Sequence, residues 1–169
     1  MSILAVVALP DPALKRRCAE VVTFGDDLRE LIADLVATMQ ASPACVGLAA
    51  NQVGLSRRVL VMDVTGHRKA RSCHGLVALV NPEIVDRTGV VVGREGCMSV
   101  PDLTGDVPRS TEVIVRGIDG LAGGWTERVL RCDAFEARAV QHELDHLDGL
   151  VFLDRVGGQT GLFPRKVYR

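Results

Sequence analysis

Within residues 24–39, Leu28, Leu31, Ile32, Leu35, Val36 and Met39 recur at helical spacing along one face. That pattern predicts an amphipathic helix whose apolar stripe packs on a core. Asp27, with Glu30 three residues on, predicts a capping box at its start. After it the period changes. "ASPACVGLAANQVG" reads as a loop of small residues, and "RRVLVMDV" as a strand. "TGHRKARSCHG" (65–75) is polar and glycine-bounded, an exposed loop in which His67 and His74 read as solvated. Strands continue through "GLVALVNPEIVDRTGVVVGREGCMSVP", where β-branched residues crowd at 77–80, 84–85 and 90–92. "TEVIVRGID" alternates, and "GIDGLAGG" turns it back toward "WTERVLR". Asp133 and Glu136 predict a second capped helix ending near Gly149, with "LVFLDRV" as a last short strand. The class implied is α+β: mostly antiparallel short strands packed around a central helix, plus one N-terminal amphipathic helix.

At 169 residues the chain is long enough to bury a core without staples, so residues 1–169 are expected to form one domain. Charge adds only exclusions. With 20 Lys+Arg against 21 Asp+Glu there is no strong nucleic-acid footprint and no acidic tail. Cys18, Cys45, Cys73, Cys97 and Cys132 are odd in number, widely spaced and without a CxxC pair, so a disulfide framework is not expected. The N-terminal run "ILAVVAL" lacks a basic segment before it and leads into Pro10-Asp11-Pro12. It reads as a buried strand or extended segment of a cytoplasmic protein rather than a signal. No apolar stretch approaches the roughly 18 residues that span a bilayer, so no membrane partner is expected.

The predicted second helix carries the chemistry, in "QHELDHLDG" (141–149). His142 and His146 are four apart, so on a helix they lie about 40° apart in azimuth and roughly 6 Å apart along the axis. Both imidazoles can then reach one ion, with the Glu143 carboxylate beside it as a proton carrier. Two imidazoles alone hold a metal weakly, so a third protein ligand is expected. Hydrolases with HExxH usually find it downstream, as a Glu or a third His. Here only Asp148 and Asp154 carry carboxylates after His146, and no further His follows. The search turns upstream. Cys97 in "REGCMSVP" follows Gly96 at a strand end or tight loop, where a thiolate can face outward, although a free Cys is more often a small buried hydrophobe. In "VGLAANQVG", the Gln52 amide can donate to an oxyanion, and Gly47, Ala49 and Ala50 permit close approach of a substrate backbone.

These stretches together resemble the peptide deformylase family, marked by GxGLAAxQ, EGCLS and HExDH in that order. The chain carries them as "CVGLAANQ" (45–52), "EGCMS" (95–99) and "HELDH" (142–146), and the similarity runs along nearly all of it. The resemblance implies that Cys97, His142 and His146 bind the metal and that Glu143 is the general acid/base. Gln52 and the Met98 N–H would hold the oxyanion, while Val46, Gly47, Glu95, Phe135 and Ala139 would bind substrate. It also implies Fe2+ as cofactor, with Zn2+, Ni2+ or Co2+ able to substitute. The implied reaction removes the N-formyl group from the initiator methionine of new polypeptides, releasing formate. Partners would be N-formyl-methionyl peptides and, transiently, the ribosome. The rival readings are a formyl-amide hydrolase recruited to another N-formylated metabolite or peptide, an HExxH peptidase and a filled structural metal site; Glu143→Ala separates an enzyme from the last.

The match departs in places. Cys45 stands where the motif has its first glycine, which narrows the groove and sets a second thiol near Cys97 that could pair with it on oxidation. Met98 replaces Leu, but the role there belongs to the backbone. Arg138, one turn before His142, is expected to be solvated or paired rather than inside the methionine pocket. Glu95 and Arg109 are expected to pair and brace the Cys97 loop, and Asp145 or Asp148 to accept from a ligand histidine. The chain ends in "LFPRKVYR" without the long C-terminal helix of some members, so docking on the ribosome through such a helix is not expected.

Overall fold

The computed structural model describes residues 1–166. Among the described residues two α-helices, α1 (Asp26–Ala41) and α2 (Ala134–Leu147), accompany eight strands. These are β1 (Gly47–Ala49), β2 (Val59–Met62), β3 (Val77–Thr88), β4 (Val91–Cys97), β5 (Val100–Arg109), β6 (Glu112–Asp119), β7 (Glu127–Asp133) and β8 (Leu162–Pro164). A five-stranded sheet runs β1-β2-β3-β6-β7 and a three-stranded sheet β4-β5-β8, with all strand pairs antiparallel. Among the described residues no helix is long and apolar enough to cross a membrane.

The larger sheet lies between the two helices, which explains why β2 is apolar at every position rather than alternating. Leu60 and Met62 point to the α2 side, where they join Leu79, Val115, Val140, Leu144 and Leu147. Val59 and Val61 point the other way, into Leu28, Ile32, Leu35 and Met39 of α1. A third cluster, with Leu14, Cys97, Val100, Val107, Val151 and Phe152, fills the space beside the smaller sheet. Cys97 therefore sits at the inner end of β4, facing α2. The N-terminal run forms no strand but an extended, mostly half-buried segment. Val7 N–H donates to Gln52 O at 2.8 Å and Leu9 N–H to Ser99 O at 2.9 Å, so this segment stitches together two of the three motif-bearing loops.

Several expected details are corrected. The first helix begins after Gly25, which caps it without a side-chain bond. The Asp27 carboxylate goes instead to Arg57 Nη2 at 2.7 Å. Asp133 does occupy the N-cap of α2, but its carboxylate accepts from Ser72 N–H at 2.8 Å and makes no cap bond. Glu136 is fully buried and accepts from the Ser72 hydroxyl, His74 N–H and His74 Nδ1. His74 thus braces the loop through Glu136 while staying exposed, in keeping with the solvated reading. His67, half-buried in the same loop, stacks its ring on Phe135 with centroids 3.5 Å apart. "LVFLDRV" is not a strand. Residues 152–155 form a 3-10 turn, held by Asp154 Oδ2, which accepts from Val151 N–H at 2.8 Å. Gly149, just past α2, adopts φ +77°, and a Cβ there would meet the Arg16 carbonyl carbon at 2.9 Å. Both the left-handed backbone and the close crossing require glycine.

Candidate metal centre

Strand β4 delivers Cys97 and helix α2 delivers His142 and His146. The donor atoms of the three lie within 4.8 Å of one another, and Cys97 Sγ stands 3.2 Å from His146 Nε2. Helical spacing brings the two rings together, with centroids 4.9 Å apart. The helix is also tied from below: Asn51 Nδ2 donates to the His146 carbonyl.

Around the donors the charges are arranged in pairs. His142 Nδ1 lies 2.8 Å from Glu95 Oε2, which leaves Nε2 for an ion. Glu95 is gripped by Arg109 at 2.8 and 3.0 Å and by Arg138 at 2.8 Å. Burial raises the Glu95 carboxyl, but the bonds from Arg109 and His142 overcome this and hold it at about 2. Arg109 reaches on to Asp145, which also takes a bidentate contact from Arg155. Asp148 pairs with Arg58 at 2.7 Å. Among the described residues neither aspartate accepts from His142 or His146, contrary to expectation; Glu95 takes that place at His142. His146 Nδ1 has no hydrogen-bond partner among the described residues.

A cavity of about 400 Å³ opens over these donors. Gln52, Met98 and Glu143 line it, as do Val46, Gly47, Glu95, Phe135 and Ala139. The Gln52 amide is held in one orientation: Oε1 accepts from Ala49 N–H at 3.0 Å, and Nε2 lies 3.1 Å from Ser99 Oγ and 3.4 Å from Cys97 Sγ. Glu143 is 4% exposed, and burial pushes its carboxyl up to about 7. Among the described residues its buried Oε2 has no hydrogen-bond partner, which is costly unless something arrives to use it. Gly47 explains how it is held. A Cβ at Gly47 would stand 2.5 Å from Glu143 Oε1 and 2.8 Å from its Cγ and Cδ, so the missing side chain makes room for Glu143. Cys45 also faces the cavity, its thiol donating to Gly47 O at 3.0 Å. Burial, then the charges of Glu143 and Cys97, push that thiol up to about 12.

Arg138 is paired, as expected, and lines the same cavity; besides Glu95 it donates to the carbonyls of Val91 and Val107, both at 2.9 Å. Sequence reasoning did not find His67, Arg94, Thr104 and Arg165, which also line it. Only the aromatic stack on Phe135 and the return of β8 bring the first and last of these close, and no local pattern announces either. The second His/Cys/Glu group, His74, Cys132 and Glu136, lies elsewhere, and its carboxylate is already satisfied by the loop bonds described above.

One thiolate and two imidazoles suit a divalent transition metal. The partnerless Glu143 oxygen beside them is what a proton-transfer site needs, so residues and ion fit one another. A helix presenting HExxH to a strand-end cysteine, under a lined groove, is the frame of a metal-dependent hydrolase. Comparison with known proteins narrows the class. The polypeptide deformylase family model matches residues 3–160. A peptide deformylase of Syntrophobacter fumaroxidans is 41% identical over 98% of this chain and 94% of its own length. Peptide deformylase 2 of Streptomyces coelicolor is 46% identical over 95% of this chain and 85% of its own. Among solved structures, peptide deformylase from Ehrlichia chaffeensis in complex with actinonin superposes with TM-score 0.86 at 34% identity, covering 95% of this chain and 92% of that one. The chain belongs to the polypeptide deformylase family.

Proposed function

We propose that the chain hydrolyses the N-formyl group from the N-terminal methionine of newly made polypeptides, releasing formate, with Cys97, His142 and His146 holding the metal. The observation that carries the residue assignment is the buried Glu143 Oε2, without a hydrogen-bond partner among the described residues, beside three donors within 4.8 Å of one another. A divalent ion held there would polarise a formyl oxygen and bring the pKa of water toward neutrality.

The remaining steps belong to the chain's own residues. Glu143, with its carboxyl near 7, is poised to take a proton from the attacking water and return it to the leaving amine. Gln52 Nε2, fixed beside Cys97, and the Met98 N–H are the donors for oxygen charge that develops at the formyl carbon. Glu95 holds the His142 ring in the orientation that points Nε2 inward, and Arg109 and Arg138 hold Glu95. Val46, Phe135 and Ala139 supply the apolar wall for the methionine side chain.

The thiolate makes Fe2+ a suitable occupant, with Zn2+, Ni2+ or Co2+ as substitutes, and it also makes the centre sensitive to oxidants. On this reading residues 1–169 act as one catalytic domain in the cytoplasm and meet the ribosome only transiently. The test is anaerobic purification with metal analysis and a formate-release assay on formyl-Met peptides. Stoichiometric metal with negligible formate release would overturn the reading.

A further inference from the structure

The groove over the metal centre carries more positive charge than the chemistry uses. Arg94, Arg138 and Arg165 all line it. Arg138 is committed to Glu95 and to strand carbonyls. Arg94 donates to Asp106 at 2.7 Å, and its guanidinium stacks 3.5 Å over the Phe163 ring. Arg165 differs. Among the described residues it forms no ion pair, and its one side-chain hydrogen bond runs from Nη1 to the Cys97 carbonyl at 3.1 Å.

This placement is built by the fold. Strand β8 pairs with β5, Leu103 opposite Pro164, and Arg165 N–H continues the ladder by donating to Asp102 O at 2.9 Å. The Arg94–Phe163 stack fastens β8 to β4 from the other side. The guanidinium lies beside Gly96: a Cβ there would stand in ordinary contact with it, 3.5 Å from Nη2 and 3.7 Å from Cζ. The result is a cation resting on the carbonyl of a proposed metal ligand, with Nε and Nη2 left to donate.

We propose that Arg165 is a specificity residue for an acidic side chain in the two residues following formyl-methionine; this deepens the deformylation reading and rests on it. A peptide whose formyl carbon is at the metal advances at most ~3.5 Å per residue. Its next side chains therefore pass the groove rim, where a guanidinium fork presents donors in the geometry a carboxylate accepts. Because the contact lies away from the reacting carbon, it acts on binding, and the preference appears in KM rather than in kcat.

The test uses the full-length, metal-loaded protein and C-terminally amidated formyl-Met tripeptides with Glu, Gln or Lys at the second or third position. A free-acid formyl-Met-Ala-Ala is run beside its amide, to separate a side-chain carboxylate from a terminal one. Each ratio is read within one enzyme preparation, so metal content and intrinsic rate cancel. The expected result is a Glu-over-Gln preference in kcat/KM of about 3- to 10-fold at one of the two positions, the range of a partly exposed charge-assisted contact. Arg165→Gln should remove it and Arg165→Glu should turn it toward Lys. Raising salt from 20 to 500 mM should shrink the wild-type ratio toward one, a readout that needs no variant. Equal kcat/KM for Glu, Gln and Lys peptides, a preference that survives Arg165→Gln, or acceleration confined to the free acid would each overturn the proposal. Failure to hydrolyse any formyl-Met peptide would instead sink the deformylation reading beneath it.

Discussion

Gly47→Ala is the substitution in which the structure makes its sharpest demand. The added methyl would stand 2.5 Å from Glu143 Oε1 and 2.8 Å from Cγ and Cδ, against an ordinary contact limit of 3.4 Å. Glu143 must therefore retreat by about 0.9 Å, because Gly47 lies in β1, paired with Met62 of β2, and cannot move as easily. A shift of about 1 Å in a catalytic group costs on the order of 10²-fold in rate, close to 2.7 kcal/mol of barrier. The three atoms nearest the added methyl all belong to Glu143, so the strain falls first on that carboxylate. The assay is formate release with metal-to-protein stoichiometry measured on the same sample. The expected result is full metal occupancy, a native unfolding midpoint within a few degrees, and kcat lowered by about 10²-fold. Wild-type kcat in a metal-replete Gly47→Ala variant would refute the reasoning: Gly47 would then not define the position of Glu143.

The other predictions test different parts of the same arrangement. Glu143→Ala should retain stoichiometric metal while losing about 10²- to 10⁴-fold in kcat, the range of a general acid/base; loss of the metal together with activity would assign the carboxylate to binding instead. Arg109→Ala leaves Glu95 and Asp145, 6% exposed each, without their shared guanidinium, so urea unfolding at pH 7 should show a loss of about 3–5 kcal/mol. A loss below about 1 kcal/mol would mean that Arg138 and Arg155 hold the two carboxylates unaided. Iodoacetamide at pH 8 should modify exposed Cys73 well before Cys45, whose thiol is pushed up to about 12; mass mapping that finds Cys45 labelled first would contradict its burial against Gly47 O.

How far the sequence could be read depended on whether each feature was local. α1 and α2 are legible because their apolar and histidine spacings repeat within a few turns of one segment. β2, β3 and β6 are legible because β-branched residues crowd them. β5 was unread: "VPDLTGDVPR" contains two prolines, two aspartates and a glycine, and only its position between β4 and β8 makes it a strand. β1 hid in a run of small residues for the same reason, being defined by its pairing with β2 rather than by propensity.

The site divides along the same line. Cys97 could be suspected from its glycine-flanked position, yet what brings it to the histidines is the packing of β4 against α2, which sets Sγ 3.2 Å from His146 Nε2. Small residues in "VGLAANQVG" suggested room for a substrate, whereas the room at Gly47 is already taken by Glu143. The missing Cβ and the buried carboxylate are therefore one feature seen from two segments 96 residues apart. Glu95 extends the argument. It binds His142 on one side and two arginines on the other, so the charge that orients the His142 ring is the charge that fastens β4 to β5 and α2. Loosening that carboxylate must cost ring orientation and strand docking together. A Glu95→Gln variant should accordingly lose metal affinity and unfolding stability in parallel rather than either alone. Equilibrium dialysis with Zn2+ and urea unfolding of the metal-free chain separate the two quantities, and a fall in only one of them would show that orientation and docking are independent.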